Sequence, residues 1–187
     1  MSPGAGAASG ISWTSPANVL TLLRVALVPV IAVLLFIEGS TARWWAVGLF
    51  IIAALSDWGD GWAARRWQDV TRWGKLADPL ADKLLIVGTL AVLAWLGELP
   101  WWAVTIIVLR EGAVTIQRQM LLRHDVVMSA SVYGKTKTVA QVVALILYLL
   151  PGVPRGLAFA ALVVAVTLTV ASGIEYAWRG QRLLRAG

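Results

Sequence analysis

Six apolar segments, at 18–38, 44–65, 75–97, 99–121, 136–153 and 155–178, take up nearly the whole of this 187-residue chain. A helix rises about 1.5 Å per residue, so each is close to the roughly 20 residues that span a hydrocarbon core of about 30 Å. Backbone groups in hydrocarbon must be satisfied within the segment, which leaves helices as the spanning structure for runs of this length. The expected fold is therefore all-α: a polytopic membrane protein of six transmembrane helices. Hydrophobic residues make up 59% and charged residues 14% of the chain, against about 45–50% and a quarter in a soluble domain. Residues 1–15 are rich in Gly, Ala and Ser and carry no charge, which reads as a disordered tail. They lack the basic start of a secretory signal, so the first apolar run is expected to be retained. The membrane domain is expected over 16–178, followed by a basic tail at 179–187.

Several function classes fall away. The chain has no cysteine and one histidine, His124, which removes thiol nucleophiles, Cys-ligated metals and a plausible His-ligated metal. The net charge of +6 fits cytoplasmic loops in so apolar a chain, and not a nucleic-acid partner. Arg65, Arg66, Arg72 and Lys75 lie around the 2–3 connection. Arg118, Arg123, Lys135 and Lys137 lie around the 4–5 connection, and Arg179, Arg182 and Arg185 lie in the tail. The opposite side has only Arg43 and Arg155. Excess positive charge stays in the cytoplasm, which places both termini there, in a cell (plasma) membrane. Trp44, Trp45, Trp101 and Trp102 are then expected as anchors at the outer interface.

Charges interrupt three of the six segments. Segment 2 has only 13 uncharged residues from Trp44 to Ser56, so it must continue through Asp57 and Asp60 to cross. Segment 3 must likewise begin before Lys83 and so includes Asp78 and Asp82. Segment 4 carries Arg110 and Glu111 near its middle. Ionisable groups at such depth are costly, and a functional site is the default reading. Asp57, Asp60, Gly61, Ala64 and Arg65 fall on one helical face, and Gly74, Asp78 and Asp82 on another. Pro79 is expected in the first turns of its helix, where a missing N–H costs little. The two helices are expected as antiparallel neighbours whose aspartate-bearing ends meet at the cytoplasmic boundary. Four carboxylates brought together either protonate in part or are neutralised by divalent cations. An all-oxygen donor set suits two Mg²⁺, or Mn²⁺. Such a site, with Arg65 one turn away, suits phosphoryl chemistry on a lipid pyrophosphate. Single aspartates near helix ends also serve as caps or interface residues. Intramembrane carboxylates also line ion pathways, so a small cation or proton transporter is the alternative of a different class. That alternative leaves Arg65, the glycines and the basic cluster unexplained.

The run Asp57-x2-Asp60-Gly61-x2-Ala64-Arg65-x8-Gly74-x3-Asp78-x3-Asp82 resembles the complete signature of the CDP-alcohol phosphatidyltransferases, and the six-helix layout is similar over about 170 residues. The resemblance implies that Asp57, Asp60, Asp78 and Asp82 hold two divalent metals and that Asp82 is the general base. It also implies that Asp60, Gly61, Ala64, Arg65 and Gly74 help hold the CDP moiety, and that the protein is a homodimer among membrane lipids.

The acceptor is a separate question. Arg110, Gln117 and Arg118 fall at i, i+7 and i+8 on helix 4, and Lys135 and Lys137 follow at the start of helix 5. Arg110, Arg118, Lys135 and Lys137 together suit an acceptor that carries its own phosphate. As loop charges, Arg118, Lys135 and Lys137 also suit lipid headgroups. Glu111 projects about 100° from Arg110, so a ligand or another helix is the expected partner of Arg110. The pair Arg110-Glu111, the run Gly134-Lys135-Thr136-Lys137-Thr138 and the start Pro16-Ala17-Asn18-Val19-Leu20-Thr21-Leu22-Leu23-Arg24 resemble the phosphatidylglycerophosphate synthases within that family. This implies CDP-diacylglycerol and glycerol 3-phosphate as substrates. Cardiolipin synthases and phosphatidylinositol-phosphate synthases, which take phosphatidylglycerol and inositol 1-phosphate, share the signature and stay open. Asn18, Thr21 and Arg24 share a face that either reaches the headgroup site or serves as a cap and a snorkelling Arg. Lys83 either snorkels or contributes to the site's electrostatics.

Overall fold

The computed structural model describes the backbone of residues 16–67, 72–123 and 132–186, and the side chains of residues 22–56, 83–121 and 133–182. Among these residues the fold is all-α, with six helices: α1 Pro16–Phe36, α2 Ser40–Trp67, α3 Arg72–Trp95, α4 Trp101–Arg123, α5 Val132–Leu149 and α6 Arg155–Ala186. Every expected segment is present as one helix. The tail expected at 1–15 lies outside the described residues. Helix α6 runs on to Ala186, through most of the basic stretch at 179–187.

Local chemistry marks the ends. Gly97 closes α3 in the left-handed region at φ +72°. Its N–H donates to the Ala94 carbonyl at 3.1 Å, and the Glu98 N–H donates to Leu93 at 2.9 Å. That pair of bonds satisfies carbonyls that a helix end leaves free, and only glycine takes the conformation without strain. Pro100 and Pro154 stand just before α4 and α6, where their carbonyls accept from Ala103 and Leu157. Pro29 sits inside α1, and Pro79 lies about two turns into α3.

Helix α1 packs on α2 and α3, α5 on α6, and α4 on α6, with α3–α4 and α2–α5 contacts closing the bundle. The interior is aliphatic: Ile31 and Leu35 of α1, Phe50 of α2, Leu85, Leu90 and Leu93 of α3, Ile107 of α4, Leu145 and Leu149 of α5 and Leu162 of α6 form one cluster. Large apolar side chains also cover the outside, among them Ile52, Leu55, Leu109, Val139, Val164 and Ile174. An apolar surface around an apolar core suits a hydrocarbon solvent and not water. Among the described residues one helix, Arg155–Arg182, is long and apolar enough to cross a membrane, and Leu22–Phe36, Ser40–Ser56 and Lys83–Trp95 are shorter apolar stretches. At the end where α1, α3 and α5 finish, Trp44, Trp45, Trp95, Trp101 and Trp102 are exposed. There Arg43 of α2 pairs with Glu98 and donates to the Tyr148 carbonyl at 3.4 Å.

Candidate active site

The signature residues lie at the other end of the bundle. Asp57, Asp60, Gly61, Ala64 and Arg65 fall within α2, which continues past its uncharged part as its length requires. Gly74, Asp78 and Asp82 fall within the first half of α3. The side chains of all eight lie outside the described residues. Among the described residues no three His, Asp or Glu side chains gather to hold a metal.

What is described is the polar system next to them. Lys83, the residue after Asp82, donates to the Thr115 hydroxyl on α4 instead of snorkelling outward. Thr115 in turn donates to the Glu111 carbonyl at 2.7 Å, so the aspartate end of α3 is tied to the charged stripe of α4. Glu111 is the hub of that stripe. Its carboxylate takes Arg110 at 3.0 Å and Lys137 of α5, and its side chain is only 14% exposed. The expectation that Arg110 looks elsewhere is half right. The long side chain bends back to its neighbour Glu111, and its other terminal nitrogen donates to the Ser172 hydroxyl of α6 at 2.9 Å.

Helix α6 supplies the opposite wall. Tyr176 is 3% exposed, with the Arg110 guanidinium 5.5 Å from its ring centroid and that of Arg118 at 5.3 Å. Both lie within the roughly 6 Å at which a cation gains from an aromatic face. The Tyr176 hydroxyl accepts from Arg118 at 3.1 Å, and its carbonyl accepts from Gln117 at 3.1 Å. Such approach needs small residues on α6. A Cβ on Gly173 would stand 3.1 Å from Cγ of Arg110, and one on Gly180 would stand 2.9 Å from the Gln117 amide carbon. Nearby, Gln141 of α5 donates to Thr169 of α6 at 2.8 Å. Among the described residues, Nε of Arg110 and Nε of Arg118 in this layer are buried without a hydrogen-bond partner. Unsatisfied buried donors are rare in native interiors and call for an explanation.

The structure thus gathers three of the four expected acceptor cations, Arg110, Arg118 and Lys137, in one interhelical layer. Lys135, two residues before Lys137, is exposed. Arg24 is 1% exposed, so it faces the interior and does not snorkel. Neither the role of Glu111 as hub nor those of Tyr176 and Ser172 as partners follows from helical spacing alone. Two glycines seven residues apart on an apolar helix, with Ser172, Glu175 and Tyr176 beside them, were the available signal.

A profile of the CDP-alcohol phosphatidyltransferase family matches residues 14–171. The chain belongs to that family. The match takes in the whole aspartate signature, the α4 stripe and the α5 lysines. CDP-alcohol phosphatidyltransferases are membrane-bound and use divalent cations. Among similar proteins, the "Probable phosphatidylglycerophosphate synthase" of Mycobacterium tuberculosis is 42% identical over 171 residues, covering 89% of this chain and 81% of that one. The "CDP-diacylglycerol--glycerol-3-phosphate 3-phosphatidyltransferase" of Bacillus subtilis is 40% identical over 177 residues, covering 85% and 91%. A protein of the same name from Pectobacterium atrosepticum is 35% identical over 167 residues, covering 85% and 91%.

Proposed function

We propose that this chain transfers the phosphatidyl group of CDP-diacylglycerol to sn-glycerol 3-phosphate, giving phosphatidylglycerophosphate and CMP. The observation that carries the reading is the unbroken eight-residue signature on α2 and α3 beside a buried cationic layer with two spare guanidinium donors. Relatives named for this reaction, similar over most of their length, support the same acceptor.

In this reading the six helices cross the membrane with both termini and the aspartate end in the cytoplasm, and two copies form a homodimer. Asp57, Asp60, Asp78 and Asp82 hold two divalent cations, Mg²⁺ or Mn²⁺, which offset the charge of the pyrophosphate. The i+3 and i+4 spacings give each helix its pair of aspartates on one face, and an all-oxygen set fits such ions. Gly61, Ala64, Arg65 and Gly74 hold the CDP moiety, where small residues admit it close to the backbone. Asp82 takes the proton of the acceptor's 1-hydroxyl. That oxygen bonds to the lipid-side phosphorus, the bond from phosphorus to the bridging oxygen breaks, and CMP leaves with the electron pair. Arg110, Arg118 and Lys137 hold the acceptor's phosphate, so the 1-hydroxyl end faces the aspartates.

The test is CMP release by the purified chain with CDP-diacylglycerol and Mg²⁺, offered glycerol 3-phosphate, inositol 1-phosphate or phosphatidylglycerol separately. Release with glycerol 3-phosphate alone is the expected result, abolished by chelation and restored by Mg²⁺. Release only with another acceptor would overturn the assignment of glycerol 3-phosphate, and none with any of the three would favour a transporter.

A further inference from the structure

The cationic layer is shaped by a residue outside it. Arg110 and Arg118 are two turns apart on α4, yet both guanidiniums lie against one buried ring, that of Tyr176 on α6. A long arginine has many rotamers, and fixing one costs conformational entropy. Tyr176 removes that freedom in two ways. Its ring faces both cations, and its hydroxyl takes one terminal nitrogen of Arg118 at 3.1 Å. Arg110 is fixed further by Glu111 at 3.0 Å and by Ser172 at 2.9 Å. The tyrosine is itself fixed, because its carbonyl accepts from Gln117 and Gly173 and Gly180 let α4 side chains lie on α6.

The arrangement leaves each arginine with one buried, unused donor, its Nε–H. Two buried guanidinium donors held on one ring suit the oxygens of a phosphate monoester, which accept charged hydrogen bonds strongly. A hydroxyl acceptor without a phosphate would leave both unsatisfied. A site built to bond a polar group rejects an analogue that lacks it.

We propose that Tyr176 is a positioning residue that sets the Arg110 and Arg118 guanidiniums for the acceptor's phosphate, and so selects phosphorylated over unphosphorylated acceptors. This rests on the reading of the chain as a phosphatidyltransferase whose acceptor carries its own phosphate. Tyr176 touches neither substrate; it acts through the two arginines.

The experiment is steady-state CMP release by the purified full-length protein in detergent, with Tyr176→Phe and Tyr176→Leu beside the parent. Tyr176→Phe keeps the ring and loses the hydroxyl; Tyr176→Leu loses both. Removing one hydrogen bond to a charged group corresponds to about a tenfold effect. The expected result is a KM for glycerol 3-phosphate raised about tenfold in Tyr176→Phe and further in Tyr176→Leu. Meanwhile kcat and the KM for CDP-diacylglycerol stay within about twofold of the parent. The ratio of kcat/KM for glycerol 3-phosphate over glycerol should fall by a similar factor. An unchanged acceptor KM in both variants overturns the proposal. So does a parallel loss in kcat and both KM values, which a merely structural tyrosine would give. Tyr176→Phe preserves shape, so its result stands even where Tyr176→Leu fails to fold. Parent activity with inositol 1-phosphate in place of glycerol 3-phosphate would overturn the assigned acceptor alone. The ratio over free inositol would then read the same inference.

Discussion

Replacing Glu111 with Gln isolates the electrostatics of the interhelical layer. Its carboxylate receives Arg110 at 3.0 Å and also Lys137, with side chains 9%, 14% and 8% exposed for Arg110, Glu111 and Lys137. Gln keeps the shape and one carbonyl acceptor but removes the charge that offsets two buried cations. Removing one partner of a buried ion pair costs about 3–5 kcal/mol, mostly from the charge left behind. The retained acceptor puts Glu111→Gln at the lower end, about 3 kcal/mol. At about 2–4 °C per kcal/mol for a chain of this size, the unfolding midpoint should fall by about 6–12 °C. Intrinsic fluorescence from the 11 tryptophans in a fixed detergent would follow it. The double variant Glu111→Gln/Lys137→Met also removes one of the two cations that Glu111 offsets and should recover at least about half of the loss. A midpoint within about 2 °C of the parent for Glu111→Gln would refute the reasoning. So would a double variant less stable than the single one.

Other perturbations test separate parts. Asp82→Asn should abolish CMP release while largely sparing CDP-diacylglycerol binding measured by equilibrium dialysis, and near-normal turnover would remove Asp82 as base. Gly173→Leu should cost about 1–3 kcal/mol by overpacking, since even a Cβ would meet Arg110 at 3.1 Å; thermal unfolding reads the loss. Gly97→Ala should cost about 1–2 kcal/mol by the same readout, because φ is +72° there and a Cβ strains that conformation. No loss would mean that the α3 cap relaxes.

Much of this was legible because it is local. The length of the apolar runs and the need to pass Asp57 and Asp60 within α2 follow from rise per residue and hydrocarbon thickness. The spacing of the eight signature residues follows from helical periodicity. Glu98, Tyr176 and Ser172 were harder, since their roles depend on which helices become neighbours. A tyrosine near the end of an apolar helix reads as an interface anchor. Only the parallel packing of α4 on α6 makes it a seat for two arginines 58 and 66 positions earlier. The same holds for Arg110 and Glu111. Their 100° separation on a helical wheel ignores the reach of a long side chain, and in a low-dielectric interior that reach is used.

The two notches on α6 also act as a vernier. Arg110 lies over Gly173 and Gln117 over Gly180, each seven residues apart on helices running the same way, so the offset between the chains repeats. Sliding α6 along α4 by one turn would take both glycines away from Arg110 and Gln117 at once and put a residue with a Cβ in each place. The charged layer therefore has a discrete setting and cannot drift by small increments. Substrate exchange that keeps this register must come from movement of other parts of the bundle against the α4–α6 pair.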